Sequence, residues 1–136
     1  MKFNIDKCMV LSVTLKRNPL LTDYCLHNQK LLVVSKAKYL GVILDSKLSF
    51  NDHVDATCKK ANSVLSFLRI NLKHCNKIDA YNSFVRPILN YAAPVWAPHA
   101  NYHINKIESI QKRAAQFVMS DFRGTSSTLT MLTSLI

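Results

Sequence analysis

Apolar side chains recur at Phe50, Val54, Cys58, Ala61, Leu65, Leu68 and Leu72, at intervals of four, four, three, four, three and four residues. That spacing follows the 3.6-residue turn and predicts an amphipathic α-helix of about six turns. Such a helix gains its stability by laying the stripe against other elements. Ser49 or Asn51 is placed to cap its start, and Asp52 and Asp55 fall in the first turn, where the helix dipole favours acids.

The chain after this helix carries further apolar faces. A second helix is expected from Asn76 or Lys77, with Tyr81, Phe84, Val85, Ile88 and Leu89 facing inward. Pro87 should kink or end it. The segment from Asn90 to Pro98 is apolar and holds Pro94 and Pro98, and its Trp96 reads as a core anchor rather than a base-stacking platform. A third helix is expected from about Asn101 to Ser120 on Ile104, Ile107, Ile110 or Gln111, Ala114, Phe117 and Val118. Gly124 is a stop signal, and Thr125-Ser126-Ser127 could cap a last short helix with Leu129, Leu132 and Leu135.

Before residue 46 the pattern is that of strands. Residues 7–15 are apolar and β-branched, and Lys16-Arg17-Asn18-Pro19 ends that run. Tyr24-Cys25-Leu26 and residues 30–34 flank His27-Asn28-Gln29 as a hairpin, with Asn28 suited to positive φ. A strand over residues 38–44 comes next, and it contains Gly41, one of two glycines in the chain. A glycine there admits close approach of another backbone or of a nucleic-acid strand. The fold class is α+β: short N-terminal antiparallel strands and a β-hairpin, then a bundle of three to four helices. The division falls between residues 1–46 and 47–136, and a small sheet with one bare face calls for partner strands.

The 18 Lys and Arg against 8 Asp and Glu leave a net charge of +10, spread along the chain rather than held in a tail. That suits a folded surface facing a polyanion, nucleic acid being the commonest, and equally a soluble basic protein. Cys8, Cys25, Cys58 and Cys75 form no C-x-x-C pair, and no signal peptide or membrane-length apolar run is present. Reduced thiols in the cytoplasm or nucleus, without a membrane partner, are therefore expected.

The chemistry-bearing residues do not cluster in the sequence. Two-metal catalysis needs grouped carboxylates, whereas Asp6, Asp23, Asp45, Asp52, Asp55, Asp79, Glu108 and Asp121 are scattered. His99 and His103 share a helical spacing but lack a completing Glu or Cys, and nothing local activates Cys58 or Cys75 as a nucleophile. Phosphate loops of the G-x-x-x-x-G-K-[ST] or G-x-G-x-x-G type are missing. No catalytic residue and no metal ligand are assigned. Lys59, Lys60, Asn62, Ser66, Arg69 and Lys73 lie mainly off the apolar stripe, as a solvated face or a phosphate-binding one.

Several blocks in order carry a resemblance. They are Phe3-Asn4-Ile5-Asp6-Lys7-Cys8, Tyr39-Leu40-Gly41-Val42-Ile43-Leu44-Asp45, Leu48-Ser49-Phe50-Asn51-Asp52-His53-Val54, and Cys58-Lys59-Lys60-Ala61-Asn62 with Phe67-Leu68-Arg69. Later blocks are Leu72-Lys73-His74-Cys75, Val85-Arg86-Pro87-Ile88-Leu89-Asn90-Tyr91-Ala92-Ala93-Pro94-Val95-Trp96 and Ile107-Glu108-Ser109-Ile110-Gln111-Lys112-Arg113-Ala114-Ala115. Together they resemble the palm end and thumb of the reverse transcriptases of non-LTR retrotransposons, the jockey-like group in particular. The resemblance implies that Lys38, Tyr39, Leu40 and Gly41 belong to a primer-grip hairpin supporting the growing DNA end. It implies that the helices form a thumb holding an RNA–DNA or DNA duplex by its backbone, with Lys59, Lys60, Arg69 and Lys73 as phosphate contacts.

The family's catalytic aspartates would lie upstream of residue 1, so the chain reads as truncated at both ends and inactive alone. No cofactor is expected in this chain, with Mg2+ needed only by a complete polymerase, and the remainder of the palm is an implied partner. Between the first two thumb helices, Cys75-Asn76-Lys77-Ile78-Asp79-Ala80-Tyr81 is a few residues shorter than the family pattern. The alternatives to a polymerase fragment are a stand-alone nucleic-acid-binding module and an inactive structural remnant of a mobile element.

Overall fold

The computed structural model describes residues 4–17, 22–72 and 74–119. The turn expected at Asn18-Pro19, the residue Lys73, the stop at Gly124 and the last short helix lie outside the described residues. The fold is α+β, short strands followed by helices, and the chain divides into two compact units, Met1–His53 and Val54–Ile136.

In the first unit a single turn of 3-10 helix, Ile5–Lys7, precedes six short strands: β1 (Met9–Leu11), β2 (Cys25–Leu26), β3 (Gln29–Lys30), β4 (Leu32–Val34), β5 (Lys36–Tyr39) and β6 (Val42–Asp45). β2 and β3 form the expected antiparallel hairpin, with Leu26 opposite Gln29. Its turn is His27-Asn28, both at positive φ (50° and 64°), so Gln29 belongs to the strand. β1 differs from the antiparallel expectation. It pairs with β4 in parallel, Met9 opposite Leu32 and Leu11 opposite Val34. A parallel pair needs a long crossover, and the chain from residue 12 to 31, including the β2–β3 hairpin, supplies it.

The strand expected over residues 38–44 is a hairpin instead. β5 and β6 run antiparallel from Lys36 opposite Asp45 to Tyr39 opposite Val42, so Leu40-Gly41 is a two-residue turn. Both turn residues have positive φ, 45° and 84°. That is the signature of the type I′ turn, whose twist matches the flanking strands.

Asp45 organises the passage from strand to helix. Its carboxylate accepts from the backbone N–H of Lys47 and Ser49, each at 2.9 Å, and from the Ser49 hydroxyl. These bonds fold the chain through Leu48 and Phe50, both at positive φ (52° and 55°), into helix α1 (Asn51–Asn71). They also hold the Asp45 carboxyl below its ordinary value, the Ser49 hydroxyl being the first cause.

The second unit holds the main core. α1 buries Val54, Cys58, Ala61, Leu65 and Leu68, the stripe expected from the spacing. Asn76 caps α2 (Lys77–Ala80) by accepting the Ile78 N–H at 3.1 Å. The helix then widens into a π segment, Tyr81–Val85, before α3 (Arg86–Asn90). Pro87 explains the widening. It has no N–H to donate and its ring crowds the preceding turn, and the slack appears just before it, where Arg86 N–H donates to the Tyr81 carbonyl five residues back. Tyr81, Val85 and Leu89 are buried, while Phe84, expected inside, is exposed. After a left-handed Ala92 the chain forms α4 (Ala93–Trp96), then α5 (Asn101–Met119). Trp96 is buried, and its Nε1–H donates to the Tyr91 carbonyl at 2.7 Å, so it is the anchor expected.

The Asp45 bonds predict that Asp45→Ala lowers stability at pH 7 by about 1–2 kcal/mol, the range for loss of a side-chain cap. Because the folded-state pKa is depressed, this contribution is present above 3.8 and is lost as pH falls through the folded value. Denaturant titrations of both proteins should therefore converge at low pH. Trp96→Ala should cost about 3–5 kcal/mol by the same measurement.

Candidate nucleic-acid interface

The tip of the hairpin β5–β6 is exposed to solvent. Lys38 and Gly41 are exposed, and Tyr39 and Leu40 are 66% and 73% exposed. The hairpin base is tied down at two places. Lys36 pairs with Asp52 in the first turn of α1, and the Ile43 N–H donates to His53 Nδ1 at 3.3 Å. His53 is buried, and burial pushes its pKa below the ordinary value. It therefore sits neutral, with Nδ1 as acceptor and the proton on Nε2. The tip residues expected as a binding element thus stand together, on a support that includes a histidine with no role evident from sequence. No spacing signal marks it, because the bond joins a strand to a helix start.

The helical cations are less united. Lys59 and Lys60 are adjacent and exposed, about 100° apart on the helix surface. Arg69 is exposed too, but lies about half a turn around the axis from Lys60. Phe67 and Ile70, 59% and 70% exposed, continue the rows begun by Lys60 and Lys59. The outer face of α1 is therefore cationic in its middle and apolar towards its end. Lys73 lies outside the described residues.

Asp55, read as a helix-start acid, has a different job. Lys106 Nζ of α5 donates to it at 2.6 Å, and Arg113 of α5 donates to Asn62 at 3.1 Å. Each pair joins residues 51 apart in sequence, so α1 and α5 run side by side in the same direction. The ion pair lowers the Asp55 pKa and raises that of Lys106, its hydrogen bond being the first cause for both. Lys106 and Arg113 thereby serve packing, and Arg69, one heptad after Asn62, continues that same row.

Burial raises the pKa values of Cys58 and Tyr81, which keeps the thiol and the phenol protonated rather than reactive. Among the described residues no three His, Cys, Asp or Glu side chains are grouped to hold a metal ion. Nor is any helix among them long and apolar enough to cross a membrane.

The fold thus combines a basic helical unit with an exposed hairpin tip, and sequence relatives give that class a context. The chain is 34% identical over 89 residues to the probable RNA-directed DNA polymerase from transposon X-element of Drosophila melanogaster, covering 60% of this chain and 10% of that protein. It is 33% identical over 90 residues to the probable RNA-directed DNA polymerase from transposon BS of the same fly, 62% of this chain and 10% of that one. The RNA-directed DNA polymerase from mobile element jockey of Drosophila funebris is 37% identical over 83 residues, 56% of this chain and 9% of that protein. The chain thus spans about a tenth of the length of the curated relatives it matches. No family model and no solved structure matches it. The resemblance read from the residue blocks is shown by these relatives: the chain is similar to a segment of the RNA-directed DNA polymerases of non-LTR, jockey-like mobile elements.

The neutral, buried His53 makes stability depend on pH. Its folded-state pKa lies below 6.5, so the unfolded chain takes up the proton first as pH falls, and stability drops below 6.5 until the folded value is passed. His53→Asn keeps an acceptor and removes the titration. Thermal melts between pH 7.5 and 5 should show a shallower decline for the variant than for the parent chain.

Proposed function

We infer that the chain is a segment of a mobile-element RNA-directed DNA polymerase that holds the template–primer duplex and does not itself perform the chemistry. The similarity of some 60% of the chain to such polymerases carries this reading. Residues 1–46 act as palm-end strands with a primer-grip hairpin, and residues 47–136 as a thumb-like region. The division of labour follows from the chemistry present. Lys59 and Lys60, on the outer face of α1, meet phosphates, which positions a duplex without reading its sequence. Lys106 and Arg113 are engaged across α1 and α5 and hold that face in place. The carboxylates that would carry catalytic Mg2+ belong to another part of the polymerase, the palm, which is also the partner of the short strands.

Over residues 54–119 there are nine basic against three acidic side chains, a balance that supports an electrostatic footprint on nucleic acid. The purified chain should bind an RNA–DNA hybrid in fluorescence anisotropy, with affinity falling steeply as salt rises. Lys59→Glu with Lys60→Glu should weaken binding at every sequence and reduce the salt slope by about 2. Lys112→Glu on the outer side of α5 serves as the charge control. No binding by the parent chain at low salt, or equal loss in the control, would sink this reading.

A further inference from the structure

The apolar end of the outer face of α1 lies where the chain leaves α5. Lys106 donates to Asp55 and Arg113 to Asn62, residues 51 apart in each pair. Along the two parallel helices, the same offset sets Met119, the last residue of α5, level with Leu68 in the final turn of α1. Ile70 stands about 80° around the α1 axis from Asn62, and Met119 about 120° around the α5 axis from Arg113 in the opposite sense. Leu68 and Phe117 turn the other way and are buried. Ile70, Met119 and, beside Ile70, Phe67 therefore share the outer side of the α1–α5 pair, and all three are exposed. Scattered apolar residues are ordinary on a surface, whereas three large ones gathered at one end of a helix pair make a patch.

Residues 120–136 continue from that place. Residues 125–136 carry no charged side chain and five large apolar ones, Leu129, Met131, Leu132, Leu135 and Ile136. Leu129, Leu132 and Leu135 recur at helical spacing behind the capping signal Thr125-Ser126-Ser127. A helix this short is marginal in water unless its apolar stripe is covered. An uncharged segment does not suit a polyanion, so an apolar face is the better match for it. The reach is sufficient: residues 120–124 span up to about 17 Å when extended, against about 8–10 Å between the axes of packed helices. Gly124 is a stop signal and suits the reversal that a return path requires. We propose that residues 125–136 fold back as a helix onto the outer side of α1 and α5, with Leu129, Leu132 and Leu135 packing on Phe67, Ile70 and Met119.

Hydrogen exchange of the full chain, read by mass spectrometry in the absence of nucleic acid, tests this independently of duplex binding. Amides of residues 129–136 should exchange about tenfold or more slower than those of an unstructured peptide. Ile70→Asp should return them to the unstructured rate. Leu132→Asp should do the same, and it alters no residue of the α1 and α5 core. Val95→Asp, at an exposed apolar position of α4, is the control and should leave the protection intact. Unprotected amides in the parent chain overturn the proposal, as does protection that survives Ile70→Asp or is lost equally in Val95→Asp. Protection that grows with protein concentration assigns the patch to a second copy of the chain and overturns the fold-back too.

Discussion

Burial of one helical stripe underlies most of the second unit. Val54, Cys58, Ala61, Leu65 and Leu68 leave water together because they share one side of α1. A helix of 21 residues is not held by backbone bonds alone, so this apolar burial supplies most of its stability. Burial also decides which residues are left to meet a partner. With the stripe inward and Asp55 and Asn62 turned towards α5, Lys59, Lys60, Phe67 and Ile70 remain on the outside. The candidate interface is the complement of the core.

Polar contacts do the aligning that apolar burial cannot. The hydrophobic effect is non-directional and leaves sliding between helices cheap. Lys106 on Asp55 and Arg113 on Asn62, one heptad apart, fix both the register and the parallel sense of α1 and α5. These exposed or half-exposed pairs add little net stability, so orientation is their larger contribution. In the first unit Asp45 has the comparable role, bending the chain out of a strand and into a helix start through three hydrogen bonds.

The short strands are the part that depends most on neighbours. A two-stranded parallel pair is ordinarily covered on both faces, yet Leu32 is 69% exposed and Met9, Val13 and Val33 are open to solvent. This accords with the proposed place of the unit beside the palm of a larger polymerase. The hairpin is correspondingly held at its base by the first turn of α1, through Lys36–Asp52 and Ile43–His53, rather than by a broad sheet.

What the sequence determined alone is the local, periodic part. The α1 stripe, the start of the second helix at Asn76 or Lys77, the role of Trp96, the turn at Asn28 and the blocks shared with mobile-element polymerases were legible because each depends on spacing or on a single residue's chemistry. The tertiary structure alone decided the non-local part. Gly41 read as a strand glycine and proved to be half of a turn, because a Leu-Gly pair inside an apolar run carries no punctuation until its two arms pair. β1 chose a parallel partner across residues 12–31, and Asp55 chose Lys106 over its own helix terminus. The His53 bond belongs here too, since a strand N–H and a helix side chain meet only after both elements are built. Periodicity records which face is buried, whereas which residues meet across the fold is set by packing between elements.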